Sequence, residues 1–173
     1  MASIVNHSNR ILITLLFVCA LPMLVGCSKP AIVDGVLPVE ISGKTFELEI
    51  VADDDSRNVG LGGRKSMDAD KGMIFSFPDS KIRKFLMRDC YIDIDIIFID
   101  SAGRITAMHH MPVEEMKKED ESMFLYESRL KKYSSRFNAQ YAIELVGGML
   151  ETLNLEDGQQ IKLDIEYLQS VTQ

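Results

Sequence analysis

The alternation of apolar and polar residues along the chain predicts short β-strands separated by turns. Phe46, Leu48 and Ile50 alternate with polar residues, and they follow a Ser-Gly-Lys turn signal after residues 36–41. The most apolar segment, residues 92–99, is joined by a Ser-Ala-Gly turn to residues 104–108, which predicts a second hairpin. Further strands are predicted at residues 72–77, 83–87, 141–145 and 159–167.

Helical spacing is found in fewer places. Met123, Tyr126, Leu130 and Tyr133 recur at intervals of three and four, which predicts one amphipathic helix. Shorter helical segments are predicted near residues 53–59 and 150–153. Because strands dominate, the predicted class is mainly β (α+β), an antiparallel β-sandwich or barrel-like domain with one or two short helices.

The N-terminal pattern is typical of an exported lipoprotein. An apolar run over residues 11–25 follows Arg10 and is short for a membrane-spanning helix. It ends in Leu-Val-Gly-Cys27, which resembles the lipobox of bacterial lipoproteins, where the cysteine thiol receives the lipid. We therefore expect a signal peptide over residues 1–26, a tether over 27–37 and one β-rich domain over 38–168. The expected location is the cell envelope, with the protein lipid-anchored on the inner or the outer membrane and facing the periplasm.

Charge and cysteine content narrow the possible partners. The formal net charge is −7, which disfavours nucleic acid because phosphates require patches of Lys and Arg. If Cys27 carries a lipid, Cys90 has no partner for an internal disulfide after export. Cys90 is therefore interpreted as a buried, unreactive residue.

The segment from Arg88 to Asp95 is the densest polar cluster that enters an apolar strand. Asp95 sits where polar positions give way to apolar ones, so its carboxylate needs a partner. The arginine candidates for this pairing are Arg57, Arg64 and Arg88. One hypothesis is a pocket in which Asp89, Asp95 and Glu144, with arginines, hold a small polar ligand. The alternative is a structural network of ion pairs that fixes the strand register.

Two further groups of residues leave alternatives open. Glu144 lies mid-strand between apolar neighbours, so it either faces solvent or meets an arginine inside the fold. The Met-His-His-Met sequence around His109 and His110 offers thioether and imidazole groups, which suit copper. Adjacent residues on a strand point to opposite faces, however, so the two histidines cannot easily bind one ion. No cofactor is expected, and the two histidines are only weak metal-ligand candidates.

Several spaced motifs resemble the domain of unknown function 192 family over about residues 38–167. The motifs are Arg57, Gly60-Leu61, Arg64, Gly72-Met73-Ile74-Phe75, Phe85-Leu86-Met87-Arg88-Asp89, residues 95–100, Gly103, residues 141–145 and Gly148. The resemblance implies a compact β-rich domain that is often exported and has no assigned activity.

The leading functional hypothesis is a non-enzymatic, membrane-tethered envelope domain that binds a small polar ligand, a wall component or a protein partner. Its candidate ligand-binding residues are Arg57, Arg64, Met87, Asp89, Asp95 and Glu144. Two alternatives are a hydrolase-type enzyme that uses Asp95, Asp89 and Glu144, and a periplasmic metal-binding protein.

Overall fold

A computed structural model describes Ile32 and residues 35–173 of the chain. This part contains six strands and four short helices. In chain order they are β1 Val36–Ile41, β2 Lys44–Val51, α1 Asp54–Val59, β3 Lys71–Phe85, β4 Ile94–Ile99, β5 Ile105–Met111, α2 Met123–Arg129, β6 Tyr133–Val146, α3 Met149–Leu153 and α4 Ile165–Val171.

The strands form one mixed sheet in the order β1-β2-β3-β6-β4-β5. β2 and β3 run parallel, and every other neighbouring pair is antiparallel. The parallel pair needs a crossover connection, and α1 lies in that connection. β6 and β4 are interior strands, and all six residues of β4 are buried.

Apolar side chains cover both faces of this sheet. On one face, Ile97 and Ile143 pack with Leu153 of α3 and Leu168 of α4. On the other face, a second cluster contains Phe75, Phe98, Met87, Leu61 and Cys90, several of which come from loops. Since both faces are covered, any polar side chain on β4 or the middle of β6 is removed from water.

The mainly β (α+β) class is confirmed, while the arrangement of strands differs from the expected antiparallel sandwich or barrel. The sheet is mixed, and it is not a closed barrel. Alternation of apolar residues reports the pleat of a strand and carries no information on the direction of its neighbour. The expected hairpins β1–β2 and β4–β5 are present.

Several element boundaries also differ. The two strands predicted at residues 72–77 and 83–87 are one long strand, β3, whose pairing with β6 has two register irregularities. The predicted final strand is wrong: Gln160 forms only an isolated bridge, and α4 follows. Asp164 caps this helix by accepting a hydrogen bond from the Tyr167 N–H, and Leu168 is fully buried. The amphipathic helix α2 ends at Arg129, and Tyr133 already belongs to β6.

The predicted signal peptide and Cys27 lie outside the described residues. β1 begins at Val36, so the last two positions expected to be tether are already strand. No helix in the described residues is both long and apolar enough to cross a membrane.

Candidate functional site

Two carboxylic acid side chains are buried in the interior strands of the sheet. Asp95 on β4 is 1% exposed, and Glu144 on β6 is 5% exposed. In the antiparallel register of these strands, Asp95 is opposite Leu145, whereas Glu144 is opposite Ile96. Because successive residues on a strand point to opposite faces, Asp95 and Glu144 lie on opposite sides of the sheet.

Asp95 is satisfied by two hydrogen bonds. Its Oδ1 accepts a hydrogen bond from His110 Nδ1 at 2.7 Å, and its Oδ2 accepts one from the Leu150 backbone N–H at 2.7 Å. Leu150 lies in the first turn of α3, so this carboxylate ties the β4–β5 hairpin to that helix. The expectation that an arginine pairs with Asp95 is wrong; the partner is the histidine directly across the hairpin.

Glu144 is buried without a comparable partner. Its Oε2 is inaccessible to solvent and has no hydrogen-bond partner among the described residues. Burial raises the pKa of this carboxyl from an ordinary value of 4.5 to about 8. Neither of the two environments considered from the sequence, open solvent or an internal arginine, is therefore found. At neutral pH the side chain is mainly the uncharged acid.

Glu144 lies in a pocket of about 220 Å³ on its face of the sheet. α1 and the loop after it supply one wall, the end of β3 and the following loop supply a second, and α2 contributes Glu127. The residues that line the pocket are Asn58, Val59, Gly60, Leu61, Gly62, Phe75, Lys84, Phe85, Leu86, Arg88, Cys90, Glu127 and Glu144.

Glycine at position 60 keeps the space beside the carboxyl open. Gly60 ends α1 with a φ of +50°, a backbone conformation that residues with a Cβ rarely adopt. A Cβ at this position would lie 3.3 Å from Phe75 Cζ and 4.0 Å from Glu144 Oε2. The chain therefore passes close to the acid without filling the space next to it.

Hydrogen bonds connect the two loops that form the pocket walls. The Gly63 N–H donates to the Asp89 carbonyl at 2.8 Å, and the Asp89 N–H donates to the Tyr126 hydroxyl at 2.9 Å. Tyr126 belongs to α2 and is fully buried. These bonds hold the α1 loop, the β3–β4 loop and α2 together around the pocket.

Charged groups surround the pocket. Arg88 Nη1 forms an ion pair with Glu127 Oε1 at 2.8 Å, and Arg88 Nη2 donates to the Asn58 carbonyl. Lys84 is exposed and forms no ion pair within the described part of the chain. The Arg88–Glu127 pair is neutral as a unit. Lys84 precedes Phe85 on β3, and Phe85 packs against Phe75 on the Glu144 face, so the Lys84 side chain leaves the strand on the opposite side.

Cys90 lines the same pocket as a thiol. Burial raises its pKa to about 12, and the nearby carboxyls of Glu144 and Asp89 add to the shift. Its Sγ–H donates to the Arg88 carbonyl at 3.5 Å. With so high a pKa the thiolate is nearly absent at neutral pH, so the geometry agrees with an unreactive residue.

The sequence comparison identifies the family. A family model for DUF192, described as "Uncharacterized ACR", matches residues 37–163. The chain belongs to the DUF192 family. No curated protein matches it.

Two solved structures are similar to this DUF192 chain. A protein from Novosphingobium aromaticivorans, of unknown function, is 21% identical with a TM-score of 0.62, over 79% of this chain and 94% of that one. A protein from Sinorhizobium meliloti, described as a candidate transcription regulator, is 27% identical with a TM-score of 0.56, over 73% of this chain and 90% of that one.

The structure brings only part of the predicted ligand-binding set near the pocket of this DUF192 domain. Met87 is buried in the apolar cluster on the Glu144 face, and Asp89 is exposed beside a neighbouring depression of about 470 Å³. Arg57 donates to the carbonyls of Ser76 and Gln173 and pairs with Asp54.

Arg64 and Asp95 are also outside the pocket. Arg64 forms two hydrogen bonds with Glu49, at 2.6 and 2.5 Å, and this pairing lowers the Glu49 pKa. Asp95 is on the opposite face of the sheet from Glu144. The expectation of one cavity shared by Arg64, Asp95 and Glu144 is wrong, and a catalytic pair made of the last two is geometrically excluded.

The two histidines have separate surroundings. His109 Nε2–H donates to the Ser134 carbonyl at 2.7 Å, and its ring packs between Phe98 and Tyr133. His110 is held by Asp95 on the other face. Among the described residues, no group of three or more His, Cys, Asp or Glu side chains is arranged to hold a metal ion.

Sequence reasoning did not place Lys84, Asn58 or Glu127 at the site, nor the pocket-lining role of Cys90. The one available signal was the glycine-rich run that begins at Gly60, since glycines mark places where backbone approaches another group closely.

We expect Asp95→Asn to lower the free energy of unfolding by about 1–3 kcal/mol. The amide would place its oxygen toward the Leu150 N–H and its NH₂ toward His110 Nδ1. The imidazole proton must then move to Nε2, and a hydrogen bond to a carboxylate is replaced by a weaker one between neutral groups. Urea unfolding measures the change, with Asp120→Asn on the exposed surface as the control. An unchanged unfolding midpoint in Asp95→Asn would contradict the structural role.

The burial of Glu144 predicts that the protein becomes less stable as the pH rises. Between pH 4.5 and about 8 the native carboxyl keeps a proton that the unfolded chain has released, so the free energy of unfolding falls as pH rises. Relative to Glu144→Gln, the wild-type protein should lose roughly 1 kcal/mol per pH unit in this window and level off above it. Urea unfolding at several pH values tests this, and parallel curves for the two proteins would refute it.

Proposed function

We propose that this DUF192 domain binds a small polar ligand in the pocket lined by Glu144. The observation that carries the proposal is the buried Oε2 of Glu144, which has no partner in the described part of the chain although it lies beside open space. An unsatisfied buried polar atom costs about 1–3 kcal/mol, so an apolar residue would serve the fold better. A ligand that hydrogen-bonds to this acid recovers that free energy on binding.

The size and lining of the pocket limit the ligand. Sites for drug-sized molecules usually measure roughly 300–1,000 Å³, and this one measures about 220 Å³. Phe75 and Leu61 offer apolar contacts, while Glu144 and the backbone around Gly60 offer polar ones. This combination suits a compact molecule with a polar group and a short apolar part.

Binding is a better-supported role than catalysis. Glu144 could exchange a proton near neutral pH, but the adjacent Cys90 thiol has too high a pKa to act as a nucleophile. Among the residues that the structure describes, none of those lining the pocket is a histidine.

We also propose that the domain works while tethered to a membrane in the cell envelope, through a lipid on Cys27. The support is the apolar run over residues 11–25 and the lipobox-like sequence that ends in Cys27. The transcriptional role described for the Sinorhizobium meliloti protein is not carried over, because a net charge of −7 disfavours contact with DNA.

The proposal predicts that a variant without the acid is more stable than the wild-type protein but no longer binds the ligand. Glu144→Leu should raise the free energy of unfolding by about 1–3 kcal/mol and abolish binding of small polar fragments. The probe is a set of polar fragments of about five to eight heavy atoms, which suits so small a pocket, and binding is detected by shifts of the Leu61 and Leu86 methyl signals.

Glu156→Leu, at an exposed site outside the pocket, is the control and should retain fragment binding. If no fragment shifts these methyl signals in the wild-type protein, or if Glu144→Leu destabilises the domain, Glu144 is a structural residue and the proposal fails.

A further inference from the structure

A second concave site, which we call the Phe137 groove, is formed by residues of β3, the β4–β5 turn, β6 and the turn at Asp157. Its volume is about 830 Å³, which is within the usual size of sites for small molecules. Among the described residues, none lines both this groove and the Glu144 pocket. The groove is therefore a separate candidate site, and it does not depend on the function proposed for Glu144.

A bulge in β6 forms one wall of the groove. Between the register pairs Ile82–Asn138 and Lys84–Ser134, β3 has one residue and β6 has three. Extra residues on one strand bend it away from its partner and redirect its side chains. Within this bulge Arg136 has a φ of +59°, a left-handed conformation that residues other than glycine rarely adopt.

Two serine hydroxyls hold the bulge in place. The buried Ser135 Oγ accepts a hydrogen bond from the Arg83 N–H at 2.9 Å and donates one to the Phe137 carbonyl at 2.5 Å. The Ser134 Oγ accepts a hydrogen bond from the Arg136 N–H at 3.1 Å. These contacts fix a strained segment in one conformation. Strain that the surrounding structure maintains in this way is found mostly at functional sites.

The bulge presents an aromatic ring at the groove. Phe137 is 68% exposed, and the neighbouring strand contributes Ile82, which is 56% exposed and lines the same groove. Apolar surface left in water gives up the stabilisation that burial would provide. The face of a phenyl ring carries negative electrostatic potential, so it attracts the partly positive C–H groups of a ligand.

Charged side chains of both signs surround this ring. Arg136 Nη1 lies 3.5 Å from Asp157 Oδ2, and both side chains are more than half exposed. Arg104 and Asp100 are the other charged residues of the lining. Asp100 accepts two backbone N–H groups of the β4–β5 turn through Oδ1, while the Arg104 guanidinium has no partner in the described part of the chain. The lining therefore offers donors and acceptors without a net charge.

From this combination we propose that the Phe137 groove binds a neutral saccharide, one ring of which stacks on Phe137. A β-linked pyranose has C–H groups on its flat faces and hydroxyls around its edge, which matches an aromatic ring bordered by polar groups. Each hydroxyl donates and accepts a hydrogen bond, so it can contact both aspartate and arginine. A phosphate or a cation would be attracted by one pair of charges and repelled by the other.

The experiment titrates the full chain with two neutral disaccharides, cellobiose and N,N′-diacetylchitobiose. The chain is held in dodecylphosphocholine micelles, since this detergent contains no sugar. The NMR signals of the Phe137 ring and the Asn138 amide report binding at the groove. We expect both disaccharides to bind with a millimolar Kd. Sorbitol has hydroxyls without a ring face, and AMP has an aromatic base with a phosphate, so each should bind at least about tenfold more weakly.

Matched variants test the contacts. Phe137→Ala should raise the disaccharide Kd by about tenfold or more, whereas Phe137→Tyr retains the ring and should stay within about threefold of the wild-type Kd. Arg104→Met should raise the Kd several-fold because it removes hydrogen-bond donors. Phe124→Ala removes another exposed ring, at a position outside the groove, and should leave the Kd unchanged. These side chains are exposed, so the fold should tolerate their replacement.

Four results would overturn the inference. The first is the absence of disaccharide binding to the wild-type protein. The second is an unchanged Kd in Phe137→Ala, which would place the sugar elsewhere. Sorbitol binding as tight as that of the disaccharides would show that no ring stacks on Phe137. Tighter binding of AMP would assign the groove to an anionic aromatic ligand instead. None of these results affects the Glu144 pocket, which is tested by its own fragments and methyl signals.

Discussion

The removal of Glu144 from water within the interior strands β6 and β4 is the constraint on which the rest of the site depends. β6 lies between β3 and β4, and apolar side chains cover both of its faces, so a carboxyl group there cannot keep a bulk-water environment. The same strands also bury Asp95. The fold supplies Asp95 with a histidine and a backbone N–H, yet leaves Glu144 Oε2 without a partner among the described residues.

This contrast separates structural from functional burial. Asp95 connects the β4–β5 hairpin to the start of α3, and both of its oxygens are used for that purpose. Glu144 instead lies in a pocket whose walls are held by the Gly63–Asp89 and Asp89–Tyr126 hydrogen bonds. Those bonds stabilise open space beside a polar atom. An unpaired buried acid beside open space lowers the stability of the fold, so we interpret it as a feature that serves function.

Sequence patterns predicted the mainly β class, both hairpins, α1 and α3, because these depend on local spacing and turn residues. They could not show that β2 and β3 are parallel, since alternation is the same in either direction. The partner of Asp95 was missed for a similar reason. The pairing near the turn, Ile99 with Ile105, would place Asp95 opposite His109, and the irregularity after Phe98 shifts it to His110. Spacing placed Glu144 in a strand, but it did not show that its face is buried or which loops enclose it, because both depend on residues far away in the sequence.

The most direct test of this account is the ionisation of Glu144 itself. The ¹³C chemical shift of its side-chain carboxyl, followed from pH 3 to pH 10, reports the protonation of this one group. Burial without a partner requires a midpoint of about 8. A midpoint near the ordinary value of 4.5 would show that the carboxyl is solvated or paired, and the account of the pocket would then be wrong.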